Sequence, residues 1–431
     1  MARTQFHLLV VILFLVSGVS LAAPPAASKD DDLQKLRKQM AKMAKRLAEL
    51  EKDKKAATLS AEQKNLIKEM IQDSAKNQPV MPNWLDGLTF SGDFRLRMQN
   101  DVANKGGGDR NRARFRLRFG FTKKFNDEWL VGFRLASGDS DIATSTNQTM
   151  GGAFSKKSIW LDLAYAKYTP KAAPGLVLVA GKMKNPLVTS GLVWDSDVNP
   201  EGIAGIYSWG SGNFKPYVAA GWFFGFEGKP GKAHDVTLLA IQGGFVWQIS
   251  KTAKWTSAVT WYDWEDVGTL NTVNTTKYGN SSGVMAFQTI NFTNKLAFAM
   301  PNPFSTSRKR IPVGLTLDLI RNCADEETAS RWKGNDFGMY AGIKVGQNKK
   351  KGDLSANYGY FYIEANATPG YFLDSSFGCA NSQGHVFSVT YSVFAAMTVR
   401  GQVYLTQPII TPGDSSKDND ISARMELLWK F

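Results

Sequence analysis

Between Arg110 and Leu135 the chain alternates apolar and polar positions almost without a break. Arg112, Arg114, Arg116 and Arg118 take turns with Ala113, Phe115, Leu117 and Phe119. Successive side chains of a strand point to opposite faces, so one face carries guanidiniums and the other an apolar stripe. The polar turn Asn126-Asp127-Glu128 follows, and a second alternating run starts at Trp129. The same grammar predicts strands over 88–99, 111–125, 129–138, 157–168, 175–183, 202–209, 213–225, 235–249, 254–266, 284–299, 311–321, 335–347, 353–367, 384–394, 396–408 and 421–431. The links at 126–128, 169–174, 210–212, 250–253, 348–352 and near 395 are tight. Those at 139–156, 184–201, 267–283, 322–334, 368–383 and 409–420 are longer and richer in Asn, Asp, Ser, Thr and Gly. Only the link at 300–310, with Pro301 and Pro303, is too long for its set. About sixteen strands with short turns alternating with long loops predict an all-β, transmembrane antiparallel barrel over 81–431. A soluble sheet would instead turn the arginines to bulk water.

Upstream of residue 81 the pattern changes. Arg3 followed by the apolar run Phe6–Val16, with small residues at Ser20 and Ala22, reads as a signal peptide over 1–22. The run is too short for a spanning helix. Residues 23–80 are expected to form a periplasmic linker and a short α-helical coiled coil. Leu33, Leu36, Met40, Met43, Leu47 and Leu50 recur at spacings of three and four, about three heptads of an a/d seam. Asp30, Asp31 and Asp32 suit the start of that helix. A second helix is expected from Ser60, with Gln63 completing a capping box. Self-association of the coil is favoured over a single solvated helix, which would be marginal at this length.

Composition agrees with a chain of strands: aromatic residues make up 12% and glycine occurs 39 times. The formal net charge is +14. From residue 81 onward 38 Lys and Arg stand against 29 Asp and Glu, which leans toward anionic solutes. An exported chain rarely meets nucleic acid, and no aromatic–basic binding motif accompanies the ladder. With two cysteines and three scattered histidines, neither a metal site, a cofactor nor a catalytic triad is expected. Cys323 and Cys379 both fall in long loops, where they could pair as one disulfide or remain two free thiols.

The final run places Ile421, Ala423, Met425, Leu427, Trp429 and Phe431 on one face and Ser422, Arg424, Glu426 and Lys430 on the other. A closing strand of this kind, with Trp429 and a terminal Phe431, resembles the signal read by the outer-membrane barrel-assembly machinery. The pieces SGDFRLR (91–97), DRNRARFRLRFGF (109–121), NDEWLVGFRLASG (126–138), TSTNQT (144–149), LDLAYAKYTP (161–170) and GKMKNP…WDSDVNPEG (181–202) strongly resemble the Gram-negative outer-membrane putative porin family. That resemblance implies a diffusion channel in the outer membrane, in contact with its lipid and typically a homotrimer. It does not fix the solute.

With the apolar faces on lipid, the other faces line the lumen. Arg95, Arg97, Arg112, Arg114, Arg116, Arg118 and Arg134 then form a contiguous cationic wall, with strands about 4.8 Å apart. Arginine keeps its charge at any working pH and presents a fork that fits carboxylate or phosphate. On the lipid face each such charge would cost about 2–4 kcal/mol near the midplane. Asp318, Lys344 and Arg424 are further lumenal candidates. The link 184–201 carries Asp195, Asp197 and Glu201; folded inward, these acids would face the wall and set up a transverse field. Alternatively, the acids simply pair with the arginines and hold the loop. The functional expectation is a passive, anion-preferring porin for small hydrophilic solutes. The alternatives are a phosphate or oxyanion channel and a structural tether with a plugged barrel.

Overall fold

In the computed structural model the described residues are 85–102, 108–139, 142–228, 235–266, 278–281, 286–302, 310–324, 334–411 and 420–431. The signal peptide, linker and coil predicted over 1–80 lie outside them. Residues from 81 on form one compact unit. Its strands are β1 (Leu88–Val102), β2 (Arg110–Lys124), β3 (Trp129–Ser137), β4 (Gln148–Thr149), β5 (Ile159–Tyr168), β6 (Leu176–Lys182), β7 (Glu201–Ser208), β8 (Phe214–Phe226), β9 (Val236–Ser250), β10 (Ala253–Glu265), β11 (Phe287–Pro301), β12 (Arg310–Asn322), β13 (Phe337–Gly346), β14 (Leu354–Ile363), β15 (Ser382–Phe394), β16 (Met397–Pro408) and β17 (Asp420–Lys430). Every pairing is antiparallel, and β1 bonds to both β2 and β17, so the sheet closes. Closure leaves no edge unpaired in lipid.

Sixteen long strands make the barrel, matching the runs read from alternation. β4 is the departure: the stretch 139–156, expected to be one outer loop, returns to the wall. Gln148 and Thr149 pair with Phe115 and Arg114, extending the third barrel strand beyond Ser137 after an excursion. Ser137 closes the gap, since its hydroxyl accepts from Leu117 N at 2.9 Å and donates to Thr146 O at 2.8 Å. The expected strand 353–367 stops at Ile363, because Glu364–Ala367 turn into the barrel and bury Asn366 and Ala367 completely.

The outer face is apolar, as Phe119, Trp222, Ile241, Val259 and Val389 are all exposed. Aromatic pairs near the short turns, such as Trp129 on Tyr168 at 4.4 Å and Trp247 by Trp255 at 6.4 Å, supply an interfacial girdle. The last residue is zipped to the first strand: Gly92 N donates to Phe431 O at 2.8 Å, and Phe431 N to Gly92 O at 3.1 Å. A Cβ at Gly92 would lie 2.5 Å from the Phe431 ring, so this seam needs glycine.

Candidate functional site: a cationic lumen faced by two inward loops

The β1–β2 hairpin stays in register from Leu88↔Lys123 to Asp101↔Arg110. On its inner face the rungs are Asp93 with Arg118, Arg95 with Arg116, Arg97 with Arg114, and Gln99 with Arg112. Across the seam, β17 adds Glu426 beside Arg97 and Arg424 beside Gln99. The seven arginines predicted to share a wall do share it, and Arg400 and Arg424 extend it. Asp318 and Lys344 also alternate onto the inner face, through the rungs Asp318↔Tyr340 and Gly314↔Lys344 on the opposite side.

Carboxylates thread this wall. Asp93 accepts from Arg116 at 2.7 Å through one oxygen and from Arg118 at 2.7 Å through the other. Glu426, 3% exposed, lies 2.5 Å from Arg97 and 3.6 Å from Arg95. Asp101 takes Arg112 at 2.6 Å, and Asp162 takes Arg134 at 2.5 Å. Alternation placed Asp93 and Glu426 on this face in advance. Asp162 could not be placed, because a register shift beside Arg134 breaks the period of β5.

The link between β6 and β7 folds into the barrel, burying Leu192, Val193, Trp194 and Val198. On the wall opposite the arginines it is tied at several points. Val188 N donates to Gln242 Oε1 at 3.0 Å, and Gln242 Nε2 to Val188 O at 2.9 Å. Lys295 Nζ donates to Thr189 O at 2.8 Å, and the Ser190 hydroxyl donates to the fully buried Asp318. Toward the ladder it extends Asp197, whose Oδ1 lies 3.2 Å from Arg118 and 3.9 Å from Arg116. The other two acids of this link behave differently from expectation. Asp195 turns to the second inward loop, 364–381, accepting from Ser375 N at 3.3 Å. Glu201 opens β7 on the side away from the ladder and pairs with Lys182 at 2.6 Å. The link does fold inward as expected, but its backbone turns Asp195 to the second loop, and Glu201 already belongs to β7.

The second loop joins the first through Asp195 N to Phe372 O at 2.7 Å and Asp374 N to Gly191 O at 3.0 Å. Phe372 stacks between Trp194 at 5.5 Å and Trp264 at 4.9 Å. With Leu238, Tyr262, Phe287, Phe361 and Phe377 these rings form an apolar core inside the barrel. Burial, then the neighbouring Asp374 and Asp197, push the Asp195 carboxyl up to about 8, against backbone amides that favour its charged form. Lys184 is held below its ordinary value by burial and by repulsion from Arg134 and Arg118.

Cys323 is exposed and Cys379 half-buried, and both are free, so the disulfide alternative gives way to two thiols. Among the described residues no cluster of His, Cys, Asp and Glu is placed to hold a metal.

Residues 103–301 match the family described as "Putative porin". The fold is similar to OprB of Pseudomonas putida in its high-pH structure, with a TM-score of 0.51 at 10% identity over 80% of this chain and 94% of that one. A triple mutant of the Rhodopseudomonas blastica porin gives a TM-score of 0.42 at 10% identity, over 80% of this chain and 100% of that one. No curated protein matches the chain.

Proposed function

We propose that this chain, whose segment 103–301 belongs to the family described as "Putative porin", is an outer-membrane porin that passes small hydrophilic solutes and prefers anions. The observation that carries the preference is the wall itself. Among the described residues, the ion pairs of nine inward arginines (95, 97, 112, 114, 116, 118, 134, 400 and 424) draw on five carboxylates, Asp93, Asp101, Asp162, Asp197 and Glu426. The surplus positive charge sits beside water, where a permeating anion meets it at close range. Asp197 reaches in from the opposite side, so the field runs across the passage.

The apolar core formed by the two loops occupies the other side of the lumen. The solute path therefore hugs β16, β17, β1, β2 and β3, and a solute cannot avoid the arginines. In this reading the protein is a passive channel rather than an enzyme, assembled by the barrel machinery through its Trp429–Phe431 end. It functions as a homotrimer with its N-terminal coil in the periplasm. Reversal potential in a potassium chloride gradient across a planar bilayer tests it: chloride preference is expected, and cation preference or no selectivity rejects it. The same loop core favours one second reading, a plugged barrel acting as a tether, and purified protein that shows no single-channel steps would select it.

A further inference from the structure

The wall's arginines are not equally neutralised. Arg116 and Arg118 share Asp93 and Asp197, Arg95 and Arg97 share Glu426, Arg112 holds Asp101 and Arg134 holds Asp162. Among the described residues, no carboxylate forms an ion pair with Arg114 or Arg424. Arg114 donates only to Gln99 Oε1 and Asn147 O, each at 3.4 Å, at the long limit of a hydrogen bond. Its Nε is buried with no acceptor at all. Arg424 donates to Ser422 Oγ at 3.1 Å and to Ser376 Oγ at 2.8 Å, while its guanidinium lies 4.5 Å from the Tyr404 ring.

The register brings these two together. Gln99 faces Arg424 across β17 and Arg112 across β2, and Arg97, one rung along, faces Arg114. Arg114 and Arg424 thus flank β1 from both sides, about two strand spacings (~10 Å) apart at the backbone. Two extended arginine side chains span that distance. Both are half-buried, so the lumen reaches them.

We propose that Arg114 and Arg424 form a binding station for a small oxyanion, carboxylate or phosphate, within the lumen; this rests on the porin reading above. A half-buried cation whose acceptors are all neutral gains when a charged acceptor replaces one, because charge-assisted hydrogen bonds are shorter and stronger. Stacking on Tyr404 fixes the plane of Arg424 and leaves its edge to meet two oxygens of a ligand. The paired arginines offer no such gain, since a ligand there must first displace a carboxylate that cannot leave. The wall is therefore a charged passage in which two arginines on neighbouring rungs stand outside the ion pairs, rather than a uniform track.

The test records chloride current through the full-length protein in planar bilayers while sodium phosphate or, separately, sodium acetate is added. Saturable block is expected, with R114Q and R424Q each raising the half-blocking concentration about tenfold or more. R134Q, at a paired position, should leave it near the wild-type value. Should R114Q fail to assemble, R114K fills the same space and keeps the charge but lacks the fork, and a weaker block is again expected. Block by phosphate alone assigns a tetrahedral ligand, block by acetate alone a carboxylate, and either supports the station. No block by either anion, or equal block in wild type, R114Q (or R114K) and R424Q, overturns it. A wild-type channel that prefers cations defeats the porin reading itself, whereas chloride preference with equal block defeats only the station.

Discussion

Replacing Asp197 with Asn removes, among the described residues, the loop carboxylate that pairs with the ladder and leaves the shape of the passage nearly unchanged. The loop is held independently by Gln242, Lys295 and Asp318 on the far wall, so it should keep its place. Asparagine has one acceptor oxygen where Asp197 uses both, so it keeps the bond from either Arg118 or Thr146 as a neutral one and turns an amide NH2 to the other, both contacts being 3.2 Å with the aspartate. Arg118 and Arg116 also retain Asp93. The stability cost should then be about 1–3 kcal/mol, well below that of stranding a fully buried ion. The effect on permeation is separable. One negative charge roughly 7 Å from a passing ion in water contributes about 0.6 kcal/mol, a factor of about three in local chloride concentration. Potassium is affected by the same factor in the opposite sense, so D197N should raise the chloride-to-potassium permeability ratio roughly sevenfold at low salt, and less as screening grows. Reversal potentials of wild type and D197N at two ionic strengths provide the measurement. An unchanged or lowered ratio in a channel of normal conductance would refute the transverse-field argument and leave Asp197 as scaffolding alone.

Other outcomes follow from the loop contacts. Asp318→Ala should strand the Ser190, Asn291 and Thr293 donors and loosen the inner loop, lowering stability by about 2–4 kcal/mol in urea titration and adding open-channel noise. Trp194→Ala empties one side of the Phe372 stack and should cost about 3–5 kcal/mol, with a rise in conductance. Because Asp195 keeps its proton in the folded protein up to about pH 8 while an unfolded aspartate releases it near 3.8, the junction of the two loops is firmest in acid. Its stabilisation falls as pH rises and is lost through about pH 8. Protease cleavage of the loops should thus increase between about pH 4 and 8 in wild type, level off above that, and stay flat in Asp195→Asn. Cys323 should react readily with a maleimide. Cys379, whose thiol burial pushes up to about 11, should react slowly.

The features legible in the sequence share one property: they depend on a period of two. Sixteen runs, the apolar outer stripe and the inward face of Arg112–Arg118 all follow from side chains alternating along an extended backbone. Wherever the backbone leaves that period, the reading fails. Gln148 and Thr149 return to the wall from a stretch without alternation, and β14 stops four residues short of the alternating run. The register shift beside Arg134 hid Asp162 in the same way.

The division between paired and unpaired arginines lies further from the sequence still. Arg114 and Arg116 occupy equivalent places in the run, yet one meets two carboxylates and the other none. Their own rungs do not separate them, since Arg114 faces Arg97 and Arg116 faces Arg95; the difference is that Asp93, directly opposite Arg118, also reaches diagonally to Arg116. Asp197 arrives from a loop some eighty positions away and lands on Arg118 and Arg116 alone. Glu426 comes from the far end of the chain and can satisfy Arg97 only because the barrel closes. The pairing of charges in such a lumen is thus set by closure and loop folding acting on a wall that alternation has already built. Substituting a partner acid should change permeation as strongly as substituting an arginine.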